Sequence, residues 1–249
     1  MSFNFSSNLS LPKDLNQVFN ENKQRIISSA KQSDDIGAEV GCAFIAIRGQ
    51  KYTQALCTDG SSSQVSVLPI YEQLYNILQV YGSKITNMQL MFHTHPFPTD
   101  VIKEEMGITE PDDIIRFKII ASTFSVTDLA TSLDMYLRLK DSLNLILKYQ
   151  VVASYISEQK TVHVYFLDTE RLKDVASKMI GKNDITLSSE VEQFHKIIQN
   201  RFEKRLQDLL EKIKESPEEK KSEYINQLQL EVLKMELLFS VSSITVPAY

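Results

Sequence analysis

Two histidines separated by a single residue end an apolar run in this sequence, within the segment MFHTHPFPTD. Alternate residues of a strand point to the same side, so His93 and His95 would present two imidazoles side by side. Pro96 cannot continue a strand ladder, which places the pair at a strand end where a cleft can open. Two such nitrogen ligands supply half of a tetrahedral zinc site. Taken alone, the pair also fits two partly buried histidines held by hydrogen bonds.

A third ligand can come from the segment Ser125-Val126-Thr127-Asp128, which opens a long helical pattern. Ser125 is a natural N-cap residue and Asp128 stands at N3, so both side chains lie at one helix N-terminus. Alone this is a capping pair. Together with the histidines it gives His₂Asp and one open position, the arrangement of catalytic zinc. Asp112 stays an alternative ligand because it lies closer to the histidines, but Pro111 before it favours a turn.

A zinc hydrolase also needs a general base beside the attacking water. Glu39 is the candidate, because it is the lone acid at the start of the apolar run AEVGCAFIAI. Most acids at strand starts simply face solvent, so Glu39 gains weight only through the other residues of the pattern.

These residues need a scaffold of alternating helices and strands, which the hydrophobic patterns supply. The patterns predict helices over 13–32, 69–82 and 168–180, and strands over 38–47 and 86–92. They also predict a long helix from Ser125 and a β-hairpin over 149–167. Residues 97–124 fit either a helix or a strand. The expected fold is mixed α/β (α+β), with a sheet flanked by helices over residues 1–180.

The pattern changes after about residue 186. Apolar residues recur at spacings of three and four with charges between them, which predicts an antiparallel helical hairpin. Residues 181–249 are therefore predicted to form a C-terminal hairpin that assembles a homo-oligomer or a complex through residues 186–239.

Composition excludes several classes of function. The formal net charge of the 249 residues is −5, and no basic patch stands out, which argues against nucleic-acid binding. No apolar run is long enough for a membrane helix, and the N-terminus shows no secretory signal. Cys42 and Cys57 stand in apolar runs and are predicted to be free buried thiols. Together these features predict a cytoplasmic protein.

The pattern of Glu39, His93-Thr94-His95-Pro96 and Ser125-Val126-Thr127-Asp128 resembles the JAB/MPN/JAMM metallopeptidases, over roughly residues 13–170. The order of the motifs and of the surrounding elements is similar. The resemblance implies an MPN-like fold, with one Zn²⁺ per chain bound by His93, His95 and Asp128. The sequence also departs from the family pattern, because Ser125 follows His95 by thirty positions. Residues 97–124 would then be an insertion beside the metal cleft.

By the same resemblance, Glu39 would move protons and Ser125 would stabilise the oxyanion. The implied activity is hydrolysis of an amide bond after a ubiquitin-like or related protein tail. Two alternatives remain open. One is a non-catalytic MPN-like scaffold that assembles a complex through its C-terminal helices, and the other is a metal hydrolase with a different substrate class.

Overall fold

One mixed sheet organises the chain. The computed structural model describes residues 12–48, 54–60 and 68–249; the N-terminal segment examined for a secretory signal lies almost wholly outside them. The described strands are β1 Val40–Ile47, β2 Gln54–Asp59, β3 Ile85–Thr94, β4 Leu147–Ile156, β5 Thr161–Asp168 and β6 Ser242–Pro247. They form six strands in the order β2-β1-β3-β4-β5-β6. Only the β3–β4 pair is parallel among the described strands.

Helices cover both faces of this sheet, which confirms the predicted mixed α/β class. They are α1 Lys13–Ile36, α2 Leu68–Tyr81, α3 Thr99–Met106, α4 Pro111–Ala121, α5 Val126–Leu143, α6 Thr169–Met179, α7 Ser188–Ile198, α8 Lys204–Glu215 and α9 Glu218–Phe239. Of the described helices, α1 alone covers one face. Helices α2, α5, α6 and α7 cover the other. Among the described helices, none has the length and apolar character needed to cross a membrane.

Alternation along the central strands divides the core into two layers. In β3, Leu90 and Phe92 pack beneath α1, whereas Met91 packs on the opposite face beneath α5. Successive side chains of a strand point to opposite faces, so His93 continues the row of Met91. The histidine pair is thereby directed toward the N-terminus of α5.

Residues 97–124, which fit either a helix or a strand by sequence, form the two short helices α3 and α4. Both pack on α8 and α9 through a third apolar cluster. We call these four helices and the cluster between them the helical cap. Its buried members are Ile102, Ile108, Ile114, Phe117, Ile120, Leu209, Ile213, Ile225, Leu228 and Val232. The candidate insertion and the C-terminal hairpin therefore form one apolar unit.

The predicted C-terminal helices are present: α7, the π-helical turn Gln199–Glu203 and α8 follow one another as the first arm, and Ser216-Pro217 joins this arm to α9. The apolar faces of these helices pack within the chain, since Phe194 of α7 and Met235 and Phe239 of α9 belong to the same cluster as α5. Strand β6, which the sequence patterns did not predict, follows α9 and pairs with β5. A domain boundary at residue 180 and an assembly role for residues 186–239 stay predictions.

The prediction of free thiols is wrong. Cys42 is disulfide-bonded, and the described part of the chain holds no free cysteine. The only other cysteine in the sequence is Cys57, and its backbone lies directly opposite Cys42 in the β1–β2 pair. Directly opposite residues of an antiparallel pair have the Cα separation that a disulfide requires. Sequence spacing alone did not show this register. The predicted cytoplasmic location loses the support of free thiols.

Candidate metal centre

The end of strand β3 holds the histidine pair in place. His93 is paired with Gly41 on β1 and with Val152 on β4. Because Gly41 has no side chain, it leaves room beside the His93 ring. The His95 N–H donates to the Ala153 carbonyl at 3.2 Å, which extends the ladder one step beyond the strand. Both rings are therefore carried by backbone that is paired in the sheet.

Thr94, between the two histidines, anchors this strand end from the opposite face. Its hydroxyl is fully buried and accepts a hydrogen bond from the Val40 N–H at 2.8 Å. It donates to the Ser33 hydroxyl at 2.6 Å, at the end of α1. Thr94 therefore fixes the position of both imidazoles without facing the cleft. The available sequence signal for this missed anchor is strand alternation, which requires the residue between two ligands to face the other layer.

The third candidate ligand is positioned by a capping box at the start of α5. The Ser125 hydroxyl accepts from the Asp128 N–H at 3.0 Å, and Asp128 Oδ2 accepts from the Ser125 N–H at 2.7 Å. This reciprocal pair fixes the carboxylate against the first turn. The positive end of the helix dipole also favours a negative charge there. The predicted N-cap and N3 residues thus form both a cap and one side of the site.

The ligand atoms of these elements converge. His93 Nε2 lies 3.1 Å from His95 Nε2 and 3.2 Å from Asp128 Oδ1. His95 Nε2 lies 3.5 Å from Asp128 Oδ2. Bonds of about 2.0–2.1 Å from a tetrahedral zinc ion imply ligand atoms about 3.3 Å apart. The 3.1 and 3.2 Å separations fit that spacing, while the 3.5 Å contact runs to the second carboxylate oxygen. Ligand atoms of the three residues all lie within 4.8 Å of one another, so the group could hold a metal ion.

A hydrogen bond from the other ring nitrogen favours the required form of His95. His95 Nδ1 lies 3.4 Å from the Ala121 carbonyl at the end of α4. A carbonyl oxygen only accepts, so this contact favours a proton on Nδ1 and leaves the Nε2 lone pair for a metal. Ser154 on strand β4 adds support, since its hydroxyl donates to the His95 carbonyl at 2.7 Å.

Electrostatics in the cluster favour a positive charge. Burial alone would lower the pKa of His95, but the hydrogen bond and charge of Asp128, with the charge of Glu39, raise this pKa above its ordinary value. Burial alone would raise the pKa of Asp128, yet His93 and His95 hold it well below its ordinary value. Because its pKa is raised, His95 keeps a proton, and with it a positive charge beside the carboxylates, up to a higher pH than a free imidazole does. A metal ion would displace that proton on binding.

Glu39 lies at the same site. Its side chain is buried, with 8% of the residue exposed, and it lines the cleft that contains the two histidines and Asp128. Its charge reaches His95, whose pKa it raises. A buried carboxylate beside a metal position is suited to accept and deliver protons. Glu39, directly before strand β1, is therefore a second acid at the cluster beside Asp128.

The cleft has a volume of about 700 Å³. Its lining includes Glu39, the two histidines, Ser125 and Asp128, together with residues of the helical cap, α5 and strands β3 and β4. Asp112 lies exposed in the first turn of α4 and does not belong to the three-residue cluster found among the described residues. The structure thus brings together Glu39, His93, His95, Ser125 and Asp128, and leaves Asp112 aside.

Comparisons with known proteins add no relative. No family model matches the sequence, and searches of curated proteins and of solved structures found no match. The geometry of the cluster and the resemblance of its motifs are therefore the grounds for a functional proposal.

Proposed function

We propose that this protein is a zinc-dependent hydrolase of amide bonds, of the JAMM isopeptidase type. One observation carries the proposal: candidate ligand atoms of His93, His95 and Asp128 all lie within 4.8 Å of one another, in a cleft that also contains Glu39. Two imidazoles and one carboxylate are a donor set of catalytic zinc sites, which keep a fourth position open. A scaffold without catalysis would not need this convergence.

The bound metal would act as a Lewis acid, lowering the pKa of water and polarising the amide carbonyl. Glu39 would take the proton from the attacking water and deliver it to the leaving amine nitrogen. The Ser125 hydroxyl accepts from the Asp128 N–H, and this contact uses an oxygen lone pair, not the hydroxyl proton. Ser125 is exposed at the cleft, so its proton can be donated to the developing oxyanion.

The resemblance to the JAMM family extends the proposal to the substrate. It suggests an isopeptide or peptide bond that follows a ubiquitin-like or related protein tail. The conjugate would then be both substrate and partner of the chain.

Zinc content tests the proposal. Protein purified without added metal and then incubated with zinc should contain about one zinc per chain by elemental analysis. Replacing both ligands, His93→Ala with His95→Ala, should reduce the content to background because only one protein ligand remains. His195→Ala is the matched control, since His195 lies on α7 outside this cleft. A wild-type protein that takes up no zinc would contradict the proposal.

A further inference from the structure

We infer that the substrate carries a large apolar group, of the size of a leucine or phenylalanine side chain, and inserts it between the metal ligands and the helical cap. The inference rests on the proposed zinc hydrolase and narrows its substrate class. It concerns the part of the cleft that the chemistry of the metal cluster does not use.

The wall opposite the ligands is apolar and is built by three helices. It comprises Phe117 and Ile120 of α4, Leu206 and Leu210 of α8, and Val232 and Met235 of α9. Leu206 and Leu210 are only half-buried, so their side chains remain available for contact. Among the described residues that line the cleft, the charged ones are Glu39 and Asp128, both carboxylates, and none is a lysine or an arginine.

Polar contacts remote from the cleft hold this wall in place. The Lys221 ammonium is almost fully buried and donates to the carbonyl of Met106, at the end of α3, at 2.8 Å. It also donates to the carbonyl of Ile213, near the end of α8. Glu218 at the start of α9 accepts from the N–H groups of Thr109 and Glu110 at 2.9 and 3.0 Å, just before α4. Both helices of the candidate insertion are thus tied to α8 and α9.

A wall fixed in this way is ready for a ligand before the ligand arrives, which reduces the cost of ordering on binding. The cleft volume of about 700 Å³ falls within the range of pockets that enclose small ligands. A polar group entering between these side chains would lose its water without gaining partners. A substrate with only small residues beside the scissile bond would leave the wall in water. An apolar group fits both constraints.

Two hydroxamates test the inference on the full-length, zinc-loaded protein. Both bind zinc through the same group, but acetohydroxamate carries a methyl group and 4-phenylbutanohydroxamate a flexible apolar chain. Calorimetry should give a dissociation constant about ten- to hundredfold lower for the second compound, because its chain leaves water for the wall. Equal affinity, or weaker binding of 4-phenylbutanohydroxamate, would overturn the inference.

Substitutions in the wall locate the effect. Leu206→Gln and Leu210→Gln, made separately, should each reduce the affinity advantage of the phenylbutyl compound severalfold and leave acetohydroxamate binding unchanged. Leu237→Gln is the matched control, because Leu237 is 78% exposed on α9 and lies outside the cleft. An advantage that persists undiminished in both cleft variants would also overturn the inference. The wild-type comparison decides the question if a variant does not fold.

Failure of this inference is distinguishable from failure of the proposed function. A protein that takes up no zinc, and binds neither hydroxamate, contradicts the proposed function and removes the inference with it. A protein that binds one zinc and both hydroxamates equally keeps the metal site and loses only the apolar substrate group.

Discussion

The strand-end cluster of His93, His95 and Asp128 differs instructively from a second set of buried charges beside helix α4, the Lys118 network. Lys118 is fully buried. Its ammonium donates to Thr99 Oγ1 at 2.8 Å, Ser157 Oγ at 3.1 Å and Glu158 Oε2 at 3.0 Å. An ammonium has three protons, and these contacts use all of them.

In the strand-end cluster, acceptor groups outnumber fixed cationic donors. Two imidazoles and the carboxylate of Asp128 converge, with Glu39 in the same cleft, and the described lining residues include no lysine or arginine. The Lys118 network contains a fixed cation, whereas the strand-end cluster carries a positive charge only when an imidazole is protonated or a metal ion binds. Burial of polar groups therefore does not by itself mark a functional site. Converging ligand atoms without a lysine or arginine among the described lining residues are what supports the proposed metal site.

The largest effect should follow from truncation, which tests whether the two clusters belong to one folding unit. Removing residues 181–249 deletes β6 and half of the helical cap, and it exposes the apolar core beneath α7 and α9. We expect residues 1–180 to show no cooperative thermal transition by circular dichroism. A cooperatively folded fragment that still binds zinc would instead support the predicted boundary at residue 180.

Substitution of the two acids should separate catalysis from metal binding. Glu39→Gln should keep one zinc per chain and lose about 10²–10⁴-fold in turnover, because general acid–base catalysis contributes that much. Asp128→Asn should weaken zinc binding as well as turnover, since it replaces a candidate ligand. Zinc content and turnover of a ubiquitin-like fusion would be measured for both variants. Loss of zinc from Glu39→Gln, or full activity in that variant, would remove Glu39 from the role of base.

Removing the cation of the Lys118 network should reduce stability and spare the metal site. Lys118→Met leaves Glu158 without its buried partner. We expect a loss of about 2–3 kcal/mol in the free energy of unfolding, below the range for fully buried pairs because Glu158 is partly exposed. Lys234→Met is the control, since Lys234 is 59% exposed in its ion pair with Glu231, and it should cost less than about 1 kcal/mol. Denaturant unfolding and zinc content decide the outcome; loss of zinc from the Lys118 variant would contradict the separation of the two regions.

The smallest effect concerns a histidine buried without a carboxylate. Burial lowers the pKa of His163 from 6.5 to about 4, whereas Asp128 raises that of His95. The His163 imidazole takes up a proton below about pH 6.5 in the unfolded state and only near pH 4 in the folded state. Its contribution to the free energy of unfolding is therefore complete above about pH 6.5 and is lost as the pH falls toward about 4.

This proton linkage can be isolated with one variant. Between pH 7 and pH 5 the wild-type protein should lose about 1–2 kcal/mol more unfolding free energy than His163→Gln, which cannot titrate in that range. Denaturant titrations at both pH values provide the measurement. Equal losses in the two proteins would show that His163 titrates normally.

Local patterns predicted most of the site, because each part of it depends on neighbouring residues. Alternation in a strand paired His93 with His95, and the spacing of Ser125 and Asp128 predicted the capping box that the structure contains. Glu39 was predicted from its position alone, as the lone acid at the start of an apolar strand. These features depend on periodicity and on helix capping, which act over two to four residues.

The parts that sequence analysis missed depend on contacts between distant segments. Strand β6 has only six residues, Ser242–Pro247, and its pairing with β5 joins residues about eighty positions apart. Its alternation of Ile244 and Val246 with Thr245 was the available signal. The disulfide of Cys42 depends on the β1–β2 register. The packing of α4 on α9 depends on a face of α4 whose partner lies about a hundred residues away.

The position of α3 and α4 within the connection between β3 and β4 has a consequence for how this chain can change. Parallel neighbouring strands require a long crossover in any case, and here α5 alone would be sufficient to return the chain. Each doubling of loop length costs only about 0.6 kcal/mol in closure entropy. Closure entropy therefore sets little limit on the length of this crossover, whereas the packing of α3 and α4 on α8 and α9 holds the segment in place. In the proposed hydrolase, the candidate metal ligands lie on the sheet and at the start of α5, whereas α4 supplies part of the apolar wall, so residues of this wall can be exchanged while the metal ligands are kept.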